Sequence, residues 1–235
     1  MVFNPRIERA LSTPRFQTYR AIASGDEHAF ALYRWNGELT AAVMPMIADL
    51  EVALRNTMHD QLAAYFGRPD WWASEKLLLD RDKHQNLSQT VEKHQRKIVS
   101  GKLTAGKVVA DLMFGTWVML LSRGGNSALG QAVDYETRLW RPALRRGFAT
   151  TTGPRPRRPS RDAVHSRAAL VQRLRNRCAH HEPVFGGVKV PGSNMSISLA
   201  DVWHEGVELL GWVCPDLADE HRSAQLLRAV LDCRP

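Results

Sequence analysis

Apolar side chains recur at intervals of three and four residues along most of this chain, which is the spacing of one face of an α-helix. The longest such pattern lies within residues 38–67, and its apolar positions are Val43, Ile47, Leu50, Leu54, Met58 and Leu62. A shorter helix is predicted from residue 26 to about residue 35, because the pair Asn36-Gly37 that follows is typical of a turn. Pro45 predicts a kink one turn into the longer helix.

The rest of the chain follows the same helical spacing, with one exception. The other predicted helices lie within residues 12–25, 86–101, 104–122, 160–181, 198–213 and 216–232. Ser160 is a predicted N-cap, since a serine hydroxyl accepts a hydrogen bond from a free amide at a helix start. The exception is the stretch 184–197, whose composition favours a small β-hairpin. We therefore predict an all-α fold, organised as one helical domain over residues 1–235 with at most this hairpin.

The composition is that of a soluble globular protein with an unusual charge. Of the 235 residues, 44% are hydrophobic and 24% are charged, which is ordinary. The net charge of +8 and the pI near 9.8 favour an anionic partner, with nucleic acid before a membrane surface. The longest apolar run, residues 112–121, is too short to span a bilayer, so no membrane partner is expected. Three widely spaced cysteines and the lack of an apolar leader segment predict a cytoplasmic protein.

The positive charge is concentrated in one part of the chain. Residues 138–177 contain twelve arginines and a single acidic residue, so this segment accounts for more than the whole net charge. Within it, the proline-rich stretch 150–160 is predicted to be an exposed loop. Its residues Arg155, Arg157 and Arg158 are predicted contacts for RNA, because guanidinium groups pair bidentately with phosphate. A solvated basic linker is the alternative interpretation.

The basic segment continues into the sequence RLRNRCAHHEP, which combines arginines with two adjacent histidines. Each helical residue turns about 100°, so Arg173, Asn176 and His180 lie on one face. Arg175 lies about 140° from His180. Either Arg173 is therefore the partner of the histidine, or the helix unwinds before Pro183 and turns His180 toward Arg175.

These residue types suit cleavage of RNA through its own 2′-hydroxyl group. A histidine such as His180 can accept or donate a proton near neutral pH. An arginine such as Arg173 or Arg175 stabilises the negative charge that develops on a phosphoryl oxygen. Such a reaction needs no metal and no cofactor, and it yields a 2′,3′-cyclic phosphate and a 5′-hydroxyl. Arg173 and Arg177 are further predicted contacts for RNA.

Three other interpretations of this sequence stay open at the level of spacing. Cys178 and His180 could form a nucleophile pair, although side chains two residues apart on a helix diverge. Cys178, His180, His181 and Glu182 could bind zinc, although the usual ligand spacing is absent. The two histidines could also simply interact with the last carbonyl groups and the dipole of a helix.

The same residues resemble a known superfamily. RNRCAHHEP is similar to the R-N-x-x-x-H block of the HEPN superfamily, and its Cys-Ala-His-His form resembles the Abi-like proteins of bacterial abortive infection. Three further blocks agree in order: residues 11–43 with the Leu-Tyr-x-Trp-Asn run at 32–36, residues 49–62, and residues 112–122. The resemblance covers roughly residues 10 to 182.

The resemblance implies a helical bundle that forms a homodimer, with a metal-independent ribonuclease site at the dimer cleft. In it, Arg175 is the motif arginine, Asn176 the polar residue after it and His180 the catalytic histidine. The role of His181 is open. The expected function is that of an endoribonuclease acting as a toxin or antiphage effector, with RNA as substrate and an antitoxin or a phage trigger as a further partner. The alternative is a non-catalytic HEPN module that binds RNA or a protein partner.

Glu51 and Arg55 are the centre of the second block that carries the resemblance. They lie four residues apart on the long predicted helix, so an intrahelical ion pair is one interpretation. The other is a supporting role, in which they hold the motif helix in position.

Overall fold

The computed structural model describes residues 3–99, 104–150, 157–190 and 192–235. These ranges are mostly helical with small β-hairpins, which confirms the predicted fold class. The α-helices are α1 (Pro5–Leu11), α2 (Thr13–Arg20), α3 (Asp26–Phe66), α4 (Arg81–Val99), α5 (Ala105–Asp111), α6 (Phe114–Leu120), α7 (Arg161–Ala179), α8 (Leu199–Gly211), α9 (Pro215–Ala224) and α10 (Leu226–Leu231). Within the described ranges, no helix has the length and hydropathy needed to cross a bilayer.

Two antiparallel hairpins interrupt the helices. Strands β3 (Val188–Lys189) and β4 (Ser196–Ile197) form the hairpin that the sequence predicted. Strands β1 (Gly124–Asn126) and β2 (Ala132–Asp134) form a second hairpin, which the sequence did not predict. The reason is that β1 consists of Gly-Gly-Asn and has no alternating apolar side chains. Gly124 has a φ of 102°, and a Cβ there would lie 1.9 Å from the carbonyl oxygen of Val133.

Helix α3 is one continuous helix of 41 residues, whereas the sequence predicted a break at Asn36-Gly37. Trp35 and Leu39 are buried on either side of that pair, so packing favours helix where the local sequence favours a turn. The helix also continues through Pro45, which lies on its exposed side, where water can solvate the carbonyl that loses its amide donor. The described structure therefore has one long α-helix where two shorter helices were expected.

Helix α3 supplies the central line of the core. The apolar face predicted for residues 38–67 is buried along its full length. Helix α8 packs against both α3 and α7. All three helices come close together at Gly206, where a Cβ would lie 2.7 Å from Cε of Met46 on α3 and 3.1 Å from Cγ2 of Val171 on α7. This close contact lets α8 pack against the long helix α3 and the motif helix α7 at the same point. The organisation of the chain as a single domain stays a prediction.

The glycine at position 37 provides a test of the continuous helix. A Cβ at Gly37 would meet no atom within 4 Å, so we expect Gly37→Ala to raise the free energy of unfolding by about 0.5–1 kcal/mol through helix propensity alone. Urea unfolding followed by circular dichroism measures this change. Gly206→Ala is the matched comparison, and crowding against Val171 should remove the gain there. A loss of stability on Gly37→Ala would contradict a regular helix at this position.

Candidate functional site

Helix α7 presents the predicted motif on its solvent side. Its buried apolar residues recur at helical spacing and pack into the core, and they are Val164, Ala168, Leu170, Val171, Leu174 and Cys178. At the start of the helix, the hydroxyl of Ser160 accepts a hydrogen bond from the amide of Ala163 at 3.1 Å, which confirms the predicted cap. Arg173, Asn176 and His180 are consequently exposed on one face of the helix.

The end of α7 keeps His180 on the face of Asn176. Ala179 is the last helical residue, yet the amide of His180 still donates to the carbonyl of Asn176 at 2.9 Å. The amide of His181 then donates to Cys178 at 3.1 Å, and that of Glu182 donates to Arg177 at 2.8 Å. This pair of bonds is the Schellman arrangement of a helix end. The unwinding expected before Pro183 therefore begins after His180 and does not turn this histidine toward Arg175.

His181 occupies the left-handed position of that helix end. Its φ is 54°, where glycine is the usual residue, although histidine tolerates this region better than most side chains. The left-handed backbone separates the directions of two histidines that are neighbours in sequence. His180 stays on the exposed face of α7, whereas His181 lines a pocket beside α3.

The turn after the motif is held by Asn36 of α3, a residue whose pairing with Gly37 in the sequence predicts a turn. Asn36 is only 5% exposed. Its Nδ2 donates to the carbonyl of Glu182 at 3.3 Å, and its Oδ1 accepts from the amide of Val184 at 2.7 Å. The sequence feature that indicates a structural role for Asn36 is its place in the Leu-Tyr-x-Trp-Asn run that carries the family resemblance. The spacing of hydrophobic residues contains no information about such a contact.

Two arginines complete the support of this turn. Arg15 of α2 donates from Nη1 to the carbonyl of His181 at 3.1 Å and from Nη2 to that of His180 at 3.4 Å. Arg177 donates from Nη1 to the carbonyl of Gly187 at 2.7 Å and from Nη2 to that of Pro183. The donors of Arg177 are thus engaged by the backbone, so its predicted contact with RNA would have to compete with these bonds.

Glu51 lies across from the motif helix. Its Oε2 is 3.8 Å from Nε of Arg175, while Arg55 donates from Nη1 to the carbonyl of Ala110 on α5 at 3.4 Å. Among the described residues, Glu51 and Arg55 therefore make no ion pair with each other, and each connects α3 to a different helix. The Glu51–Arg175 pair is partly exposed and contributes little stability by itself. It does position Arg175 on the α3 side of α7, away from the face of His180.

Cys178 lies on the opposite side of the helix from the exposed histidine. It is 3% exposed, and burial raises the pKa of its thiol above the ordinary value. The thiol is therefore protonated at neutral pH, and its side chain points into the core. This geometry supports neither the nucleophile pair of Cys178 with His180 nor a zinc site that uses both side chains.

The predicted contacts in the basic loop lie far from the motif. Arg155 falls outside the described residues, and Arg157 is exposed. Arg158 donates from Nη1 to the carbonyls of Arg146 and Phe148, the latter at 3.0 Å. Both described loop residues precede the start of α7, whose 19 residues make it roughly 28 Å long. The structure thus places them at the end of α7 opposite to His180, and their binding of RNA stays a prediction.

Removing the side-chain amide of Asn36 tests the support of this turn. We expect Asn36→Ala to lower the free energy of unfolding by about 1–3 kcal/mol, because the buried amide of Val184 loses its acceptor. Asn56→Ala is the matched control, since Asn56 is an exposed asparagine on the same helix. Urea unfolding of both variants measures the difference. Equal stabilities of the two variants would show that the bonds of Asn36 are not needed.

Comparison with known proteins identifies the family but adds no close relative. Searches of curated proteins and of solved structures each found no match to the chain. The family model described as Abi-like protein matches residues 8–186, which is more than two thirds of the chain. The match includes Arg15 of α2, Asn36 of α3 and the whole motif, and it ends two residues before strand β3 begins. By this match, the chain belongs to the Abi-like protein family.

Proposed function

We propose that this protein is a metal-independent endoribonuclease of the HEPN type that acts as a toxin or antiphage effector in abortive infection. The observation that carries the proposal is the state of His180. Its side chain is exposed on α7 with Asn176 and Arg173, whereas the backbone just after it is held by Asn36 and Arg15. A proton carrier that is open to substrate but fixed in position is what general acid–base catalysis requires. Membership of the Abi-like family supports the biological role.

The proposed reaction uses only protein side chains and the substrate. One histidine removes the proton of the ribose 2′-hydroxyl, and the 2′ oxygen attacks the adjacent phosphorus atom. The bond from phosphorus to the 5′ oxygen then breaks, and a second acid protonates that leaving oxygen. Arginine stabilises the charge on the pentacovalent intermediate, with Arg173 on the same face of α7 as His180 and Arg175 the residue that the family motif implicates.

A second copy of the chain would supply the second proton carrier. At the motif end of α7, His180 is the histidine that the exposed face offers, because His181 is directed to the pocket beside α3. A two-fold homodimer in which the α7 faces oppose each other brings two copies of His180 to one phosphate. It also allows Arg175 of one protomer to serve His180 of the other.

The outer side of α3 supports such an assembly. It carries an exposed strip without charged residues, made up of Met44, Pro45, Ala48 and Val52. Met44 is 38% and Val52 is 44% exposed, and the strip runs beside Glu51, which contacts α7. Apolar contacts between two such strips would offset the repulsion between two sets of motif arginines.

A non-catalytic HEPN module that binds RNA or a protein partner is the second candidate. The contact of Arg175 with Glu51 favours it, because an arginine paired within its own chain is less available to a phosphate. An antitoxin or a phage trigger would act on either kind of module, and we propose the cytoplasm as its location. Cleavage in the presence of a chelator separates the two candidates.

The side chains of the motif provide the main test. We expect Arg175→Ala and His180→Ala each to lower the rate of RNA cleavage by about 100-fold or more, because each removes a group that acts on the reacting atoms. The assay is incubation of the pure protein with mixed RNA in EDTA, with mapping of 2′,3′-cyclic phosphate and 5′-hydroxyl ends. His204→Ala, at an exposed histidine of α8, is the control and should cleave normally. Normal cleavage by both motif variants would contradict the assignment of the catalytic site. RNA binding without any cleavage by the wild-type protein would favour the non-catalytic module.

Mixing two inactive variants tests the composite site. We expect Arg175→Ala and His180→Ala protomers to regain only part of the wild-type activity when they are mixed, because the mixed dimer joins the arginine of one chain to the histidine of the other but keeps a single copy of His180. Mixing His180→Ala with the double variant Arg175→Ala/His180→Ala should regain none. The mass in solution is measured in parallel by light scattering. A fully active monomer would contradict the model.

A further inference from the structure

A pocket of about 350 Å³ opens between α3 and the turn that ends α7. His181 forms one wall, so the pocket begins one residue from His180. Its other principal residues all belong to α3, and they are Tyr33, Arg34, Gly37, Glu38 and Thr40. The volume lies in the range of small-molecule sites in proteins. Nothing in the proposed reaction uses this space.

Gly37 is the feature that points to an occupant. Glycine in the middle of a helix destabilises it relative to alanine. At Gly37 the backbone does not need a positive φ, and a Cβ would meet no atom within 4 Å. Neither the conformation nor the packing of the described chain therefore requires glycine here. A group from outside the chain that approaches the helix backbone closely would require it.

The walls of the pocket indicate the chemistry of that group. The ring of Tyr33 is partly exposed and is held edge-on against Tyr19, with centroids 5.5 Å apart. Arg34 and Glu38 are exposed and have no polar partner among the described residues, so one offers donors and the other offers acceptors. Opposite charges in equal number do not suit a bare anion. They suit a flat, neutral heterocycle whose edge both donates and accepts hydrogen bonds.

We propose that this pocket binds an unpaired nucleobase of single-stranded RNA, from the nucleotide next to the phosphate that His180 approaches. The inference rests on the proposed ribonuclease function. The base stacks on Tyr33 and lies over the backbone at Gly37, while Arg34 and Glu38 bind its hydrogen-bonding edge. In this arrangement the left-handed turn at His181 directs its side chain toward the base, while the side chain of His180 contacts the phosphate. The pocket selects which phosphodiester is cut.

The test fills the pocket and changes its acceptor. The probes are fluorescein-labelled oligonucleotides with one ribonucleotide among 2′-O-methyl nucleotides, so that only one bond can be cleaved. The set varies the base at the ribonucleotide and at its two neighbours. Gly37→Leu should raise KM at least tenfold and should flatten the differences in cleavage rate between bases. Glu38→Gln should change the ratio of rates among the four bases by threefold or more.

The control variant is Ala64→Leu, which adds the same side chain at an exposed position near the far end of α3. It should retain the wild-type KM and base preference, and circular dichroism should show the same helix content for both leucine variants. If the wild type cleaves and Gly37→Leu keeps its KM and base preference, the pocket proposal is overturned. Loss of the wild-type mass in solution on Gly37→Leu would also overturn it, because the pocket would then belong to an interface between copies.

Failure of the ribonuclease function is distinguishable from failure of the pocket. If the wild type cleaves none of the probes, fluorescence anisotropy with the same oligonucleotides measures binding directly. A Kd at least tenfold weaker for Gly37→Leu than for Ala64→Leu would retain the pocket as a base-binding site without cleavage. Equal Kd values for the two variants would overturn it.

Discussion

The geometry of the motif depends on two hydrogen bonds made by one buried amide. Asn36 holds the chain on both sides of Pro183, at Glu182 and at Val184, and so determines where the end of α7 lies. The preceding residue, Trp35, donates from its indole to the carbonyl of Val230 on α10 at 2.8 Å. One turn of α3 therefore holds the motif and the C-terminal helix together. A buried amide is costly unless its bonds are satisfied, so this arrangement favours one position of the turn over its neighbours.

The distribution of engaged and free arginines changes the meaning of the net charge. Arg161 is buried and donates to the carbonyl of Leu121 at 2.7 Å, and Arg167 pairs with Glu205 at 2.7 Å. Together with Arg158 and Arg177, they use their guanidinium groups to hold loops and helices in place. Several arginines of the basic segment therefore stabilise the fold and are not free to bind a partner. Exposed arginines such as Arg173 remain the better candidates for phosphate contacts, because binding does not require them to break an internal bond.

Three sides of helix α3 differ in what they contact. Its buried face forms the core, its exposed apolar strip would lie in the proposed dimer interface, and its turn at Gly37 lines the proposed base pocket. The two motif histidines point in different directions because the backbone at His181 is left-handed. A straight continuation of α7 would place the two side chains only about 100° apart on the same helix. The helix end instead leaves His180 on the exposed face of α7 and turns His181 toward the pocket beside α3.

The sequence by itself determined the features that depend on side-chain period and local capping. Helical spacing identified the buried face of α3 and the exposed line of Arg173, Asn176 and His180, and Ser160 was found because a cap acts within three residues. Only the tertiary structure decided the continuity of α3 through Asn36, the pairing of Glu51 with the motif helix instead of with Arg55, and the capture of Arg177 by the turn. Asn36 and Val184 are 148 residues apart in the chain. No local period encodes such a contact, because it exists only once the core has brought the two segments together.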